Sequence, residues 1–169
     1  MLVVDDNKVI RQLIRVNLEL EGFEVVTAAD GAECLDVVQQ VRPDVVTLDV
    51  VMPRLDGLRT AARLRAEPHT RDLPLVIVSA CTQYEVENGL DIGVDAFLAK
   101  PFEPAELVQT VRQLMERERE REREWRGGRG SEAESGTDVD TEAEAEVDAE
   151  VEAGSSVGAE AQRAGHSGA

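Results

Sequence analysis

The sequence predicts a three-layer α/β sandwich, with five parallel strands in the order 2-1-3-4-5 and helices on both faces. Three observations lead there. Between residues 1 and 115, short apolar runs alternate five times with segments of helical periodicity. Two of the runs, 44–48 and 73–79, are apolar almost throughout, as strands buried on both faces are. Strand-helix alternation of this kind needs right-handed crossovers, which leave few topologies.

Each element has a local reason. Leu2–Val4 is an apolar run that ends in Asp5 and Asp6. Asn7 can cap a helix to about Glu21, with Ile10, Leu13, Ile14 and Leu18 on one face and Gly22 as its stop. Phe23–Ala28 reads as the second strand. Asp30 and Glu33 have capping-box spacing, so a second helix runs to about Val41, before Pro43. Asp44–Leu48 is the third strand, ending at Asp49, and a third helix covers about Gly57–Ala66. Leu73–Ser79 is the fourth strand. A weaker helix over about Gln83–Ile92 is closed by Gly93. Asp95–Ala99 is the fifth strand, and Pro104 opens the last helix, whose apolar positions are Leu107, Val108, Val111, Leu114 and Met115. The arrangement is a flavodoxin-like (βα)5 sandwich.

The charge balance narrows function. The 169 residues carry 18 Lys+Arg against 35 Asp+Glu, a formal net charge of −17. That argues against a protein gripping nucleic acid through a basic face. The imbalance is −8 over residues 1–115, zero over 116–126 and −9 over 127–169. Glu and Arg alternate strictly through 116–124, and past Met115 no apolar seam continues. Residues 116–126 therefore read as a charged helical extension. Residues 127–169 hold no Phe, Tyr, Trp, Leu or Ile and read as a disordered acidic tail. Neither a leader segment nor a bilayer-length apolar run is visible, and Cys34 and Cys81 have no metal or redox spacing. A cytoplasmic protein with reduced thiols is the expectation.

Ligands of open α/β sheets bind at the carboxyl ends of the strands, where the strand order reverses. Here that point lies between strands one and three, so Asp5, Asp6 and Asp49 converge. Three ionised carboxylates repel, and a hard cation such as Mg²⁺ relieves the repulsion. Ser79 ends strand four and Lys100 follows strand five, which adds a hydroxyl and an ammonium. This set suits phosphoryl transfer onto a carboxylate, with cations neutralising the phosphoryl oxygens.

The motifs VVDDN at 3–7, DVVMPRLDG at 49–57, VSA at 78–80 and AFLAKPF at 96–102 resemble the receiver domains of bacterial two-component response regulators, over about residues 1–115. The resemblance implies that Asp49 is the phosphoacceptor. It implies Mg²⁺ held by Asp6, by Asp5 mainly through water, by Asp49 and by the backbone carbonyl of Val51. Ser79 would bond the phosphoryl group and Lys100 would pair with it. Phe97 stands at the switch-aromatic position and would turn inward as Ser79 moves. A cis Lys100–Pro101 bond is also implied, a geometry found in only about 5–6% of X–Pro bonds. The implied donor is a sensor histidine kinase or phosphotransfer protein. The implied output is a changed surface on helix four, strand five and helix five, which also offers a weak dimer contact.

Two other readings compete: a pseudo-receiver that binds partners without phosphorylation, and an aspartyl-nucleophile phosphatase. The second lacks the usual D-x-D after strand one, since Asp5 and Asp6 are adjacent. Residues after 115 are too polar for a DNA-binding output domain, which directs output to protein partners. The chain begins only four residues before Asp5, so strand one is short or the true start lies upstream. Apolar Val51 and Cys81 flank the site and would orient little water, so a slowly hydrolysing acyl phosphate is expected. Tyr84 is expected to be partly buried, Trp125 exposed, and His69 a loop residue without a phosphotransfer role.

Overall fold

The computed structural model describes residues 1–129. Of the tail expected over 127–169, the part beyond Arg129 lies outside the described residues. The elements are β1 (Leu2–Val4), α1 (Lys8–Leu20), β2 (Val26–Ala28), α2 (Gly31–Val41), β3 (Val46–Leu48), α3 (Gly57–Ala66), β4 (Leu75–Ser79), α4 (Gln83–Ile92), β5 (Ala96–Ala99) and α5 (Pro104–Arg129). All strand pairs are parallel, in the order β2-β1-β3-β4-β5.

The pleat sends alternate residues to opposite layers. Leu2, Val4, Val46, Leu48, Leu75 and Ile77 face a core closed by Cys34 and Val38 of α2 and Ala61 and Leu64 of α3. Val3, Val76, Val78 and Leu98 face Ile14 and Leu18 of α1 and Leu107, Val111 and Leu114 of α5. Thr47 faces the sheet interior with its Oγ1 buried and without a hydrogen-bond partner among the described residues.

The helix caps follow from sequence. Asn7 accepts from the Val9 and Ile10 N–H groups, and Asp30 from that of Glu33. Thr82 and Glu85 form a reciprocal capping box at α4. Glu103 is a poor cap, and α5 compensates with the Glu106 carboxylate, which accepts from the Glu103 N–H at 3.0 Å.

Four details differ from the sequence reading. The strands β2, β3, β4 and β5 are each shorter at the start than their apolar runs, because the ladder forms only where neighbours overlap. Leu13 is 50% exposed rather than buried. With Val9, Val16 and Leu20 it forms a solvent-facing apolar stripe at helical spacing, the opposite side of α1 from Ile14 and Leu18. Tyr84 is 70% exposed, because Glu85 and Gly89 take the inward face of α4. Helix α5 continues three residues past 126, through Gly127 and Gly128 to Arg129, since adding a turn to an existing helix costs little. Trp125 is exposed, as expected. Among the described residues, no helix is long and apolar enough to cross a membrane.

Candidate functional site

The sheet ladder delivers the acids. The Asp5 N–H donates to the Ala28 carbonyl and the Asp49 N–H to the Val4 carbonyl, so both residues continue their strands by one step. The carboxylates of Asp5, Asp6 and Asp49 then offer oxygens that all lie within 4.8 Å of one another. Asp5 and Asp49 are buried, whereas Asp6 is exposed. Asp5 is fixed at both oxygens: Oδ1 accepts from the Asn7 N–H at 2.8 Å and Oδ2 from Lys100 Nζ at 2.9 Å. The same ammonium lies 3.3 Å from Asp49 Oδ1. Lys100 reaches this point from the end of β5, where its N–H donates to the Ser79 carbonyl and the Lys100–Pro101 bond is cis.

Charge and burial set the protonation of the cluster. Burial pushes the Asp49 carboxyl above its usual range, against the pull of Lys100 and with the help of Asp5. Burial alone would lower the Lys100 ammonium, but Asp5 and Asp49 together hold it above its ordinary value. One ammonium thus serves two buried carboxylates, with a third at their side. Three clustered hard oxygen donors and a surplus of negative charge suit a divalent cation with oxygen preference.

The loop after β3 is shaped by close packing. A Cβ on Gly57 would fall 2.0 Å from the Asp49 carbonyl oxygen, so only glycine lets α3 start there. Arg54, in a left-handed conformation at φ 63°, donates from Nε to Asp30 at 2.7 Å and ties the loop to α2. The Glu33 N–H and Arg54 hold the Asp30 carboxyl below the usual range. Val51 sits in this loop with its side chain 76% exposed.

The hydroxyl side of the site is different. Ser79 ends β4 and is buried, and its Oγ donates to Glu85 Oε2 at 3.1 Å. Cys81 is left-handed at φ 52°, which brings its N–H to Ser79 Oγ at 3.0 Å. Phe97 is half-buried and packs against Gly89, where an added Cβ would meet the ring at 2.6 Å. The structure therefore gathers Asp5, Asp6, Asp49 and Lys100 into one cluster, while Ser79 of β4 bonds Glu85 of α4 and Phe97 of β5 packs against Gly89 of the same helix. His69 is an exposed turn residue, as expected. Cys34 is fully buried, and burial, with Asp30 nearby, pushes its thiol up to about 12, which leaves it inert. Glu85 is the site neighbour that sequence reasoning missed. Its signal was present as Thr82-x-x-Glu85, which marks a helix start.

An acid cluster bridged by lysine, at the strand-order reversal of a doubly wound sheet, lies where proteins of this fold class bind their ligands. The class becomes a family through comparison with known proteins. Residues 1–112 match the response regulator receiver domain family, and the chain belongs to it. Response regulator MprA of Mycobacterium sp. (strain KMS) is 43% identical over 118 residues, 69% of this chain and 50% of that protein. The protein named DNA-binding dual master transcriptional regulator RpaA, from Synechocystis, is 36% identical over 69% of this chain and 49% of its own length. The chain thus spans about half the length of the curated relatives it matches. Chemotaxis response regulator CheY4 of Vibrio cholerae superimposes with a TM-score of 0.64 at 33% identity, covering 67% of this chain and 95% of its own. The receiver domain of sensor histidine kinase PA1611 from Pseudomonas aeruginosa, described with a magnesium ion coordinated in its active site cleft, gives 0.63 at 32% identity, covering 68% and 94%. The fold is that of a phosphorylation-type signalling module.

Proposed function

We propose that the chain is a phosphorylation-dependent switch that accepts a phosphoryl group on Asp49 from the phosphohistidine of a sensor kinase or phosphotransfer protein. The observation that carries this reading is the cluster of Asp5, Asp6 and Asp49 bridged by Lys100. In the transfer, an Asp49 carboxylate oxygen forms the new bond to phosphorus as the donor's N–P bond breaks, and the imidazole leaves with the electron pair. Lys100, already at Asp49 Oδ1, pairs with the incoming charge. Asp5, Asp6, Asp49 and the Val51 carbonyl would hold Mg²⁺, which when bound supplies neutralisation of the phosphoryl oxygens. Ser79 and Phe97 then carry the change to α4, β5 and α5, the face proposed for protein partners and for a weak dimer. The exposed, apolar side chain of Val51 orients no water, which supports slow loss of the phosphoryl group.

Acetyl phosphate with intact-mass detection tests this. The expected result is a Mg²⁺-dependent gain of one phosphoryl group that is absent in Asp49→Asn. No gain in folded protein would move the reading to a pseudo-receiver. Turnover of a small phosphate ester would instead favour the phosphatase.

A further inference from the structure

We propose that Glu85 is a positioning residue that latches the Ser79 hydroxyl on α4 and competes with the phosphoryl group for it. This deepens the switch reading above and rests on it.

A serine hydroxyl has one proton to donate. Here the strong acceptor within reach is Glu85 Oε2, at 3.1 Å, while the Cys81 sulfur at 3.8 Å is a weak one. Both Ser79 and Glu85 are buried, so the bond is charge-assisted and shielded from water. The same carboxylate oxygen also accepts from the Thr82 N–H at 2.8 Å, and the Glu85 N–H returns to Thr82 Oγ1 at 3.3 Å. The latch is therefore built into the capping box that starts α4. The left-handed turn at Cys81 closes the loop tightly enough for this contact.

The consequence is a defined competition. For Ser79 to donate to a phosphoryl oxygen, its proton must leave Glu85. A buried carboxylate then keeps one donor, the Thr82 N–H, where it had two. Losing a hydrogen bond to a buried charge is costly, so the latch favours the unphosphorylated arrangement. It also transmits the event, because the group that loses its donor is the one that anchors the first turn of α4. Gly89 lies one turn further along the same helix face and receives the Phe97 ring. One face of α4 thus holds both predicted switch residues, one through a carboxylate and the other through a missing side chain.

The test is a mutant cycle on beryllofluoride, a stable stand-in for the phosphoryl group, titrated in the presence of Mg²⁺ and read by amide NMR. Glu85→Gln keeps the capping box, since glutamine serves at that position, and weakens the bond to Ser79 by removing its charge. Glu85→Ala removes the acceptor. In the wild-type background, Glu85→Gln is expected to tighten beryllofluoride binding about threefold and Glu85→Ala about tenfold, the span between weakening and losing one charge-assisted bond. In a Ser79→Ala background, neither change should alter the affinity. Equal tightening in both backgrounds would overturn the latch, because Glu85 would then act through its charge alone. Unchanged or weaker binding in the wild-type background would overturn it as well, with the parent reading intact. No beryllofluoride binding by the unmodified chain would overturn the parent reading and the latch with it.

Discussion

The two halves of the site are built on opposite terms. On the β1–β3 side, strand ends press three carboxylates together, and one ammonium covers two of them. Burial keeps the Asp49 carboxyl above its usual range even with Lys100 beside it. On the β4–β5 side, Ser79 and Phe97 are fully accommodated, one by Glu85 and the other by the space at Gly89. In the proposed switch, the first half would gain by taking up a cation and the second would lose contacts in responding. A switch needs both, because a ligand shifts an equilibrium only by its differential interaction with two states.

Lys100→Met is expected to break the first half most strongly. It leaves Asp5 and Asp49 buried without their cation, and the loss should be about 2 kcal/mol in urea unfolding at neutral pH. That is below the usual range for a broken buried pair, because the lysine side chain keeps 24% exposure. Added Mg²⁺ should narrow the gap, and Asp6 and the remainder of the fold should be unaffected. A variant as stable as the parent would mean that the carboxylates do not repel.

Gly89→Ala probes the second half. Alanine is the better helix former by about 1 kcal/mol, yet its Cβ meets the Phe97 ring at 2.6 Å. Overpacking of this kind costs about 2 kcal/mol, for a net loss of about 1 kcal/mol. In a Phe97→Ala background the sign should reverse to a gain. If the loss persists there, Phe97 is not what Gly89 accommodates.

Asp30→Asn sharpens the boundary of the first half, because asparagine keeps a neutral helix cap and loses the charge that the Glu33 N–H and Arg54 both hold. The Asp30 carboxyl is held low, so its contribution is present above the ordinary carboxylate range and lost as pH falls through its lowered value. Wild type should exceed the variant by about 0.5 kcal/mol at neutral pH, a surface-pair magnitude because Arg54 is 63% exposed. The two stability curves should converge in acid. A gap that does not change with pH would mean that the Asp30 charge is not what stabilises this junction.

These halves also differ in how far the sequence revealed them. The order of strands followed from apolar runs such as LPLVIVS and from Gly, Pro and Asp punctuation. The acid half followed as well, because residues at strand ends of a parallel sheet fall on one edge whatever the loops do. In the hydroxyl half, Ser79 at the end of β4 followed from the same pattern, and its bond to Glu85 did not. The Thr82-x-x-Glu85 spacing marks a helix start, but it does not say that the returning carboxylate also meets Ser79 across a loop whose Cys81 is left-handed. Tyr84 was misplaced, since the face of α4 was set by its first turn and not by its apolar residues. Leu13 was misplaced for another reason. Helix α1 carries apolar residues on two sides, and periodicity alone does not say which side the sheet covers.

The central claim is that the two halves respond to different ligands. Backbone amide shifts followed through two additions test it directly, Mg²⁺ first and beryllofluoride second. The account predicts that Mg²⁺ alone moves the amides around Asp5, Asp6 and Asp49 and leaves Cys81, Thr82 and Glu85 in place, and that beryllofluoride then moves these three. Movement of Cys81, Thr82 and Glu85 by Mg²⁺ alone, as large as that caused by both together, would contradict it.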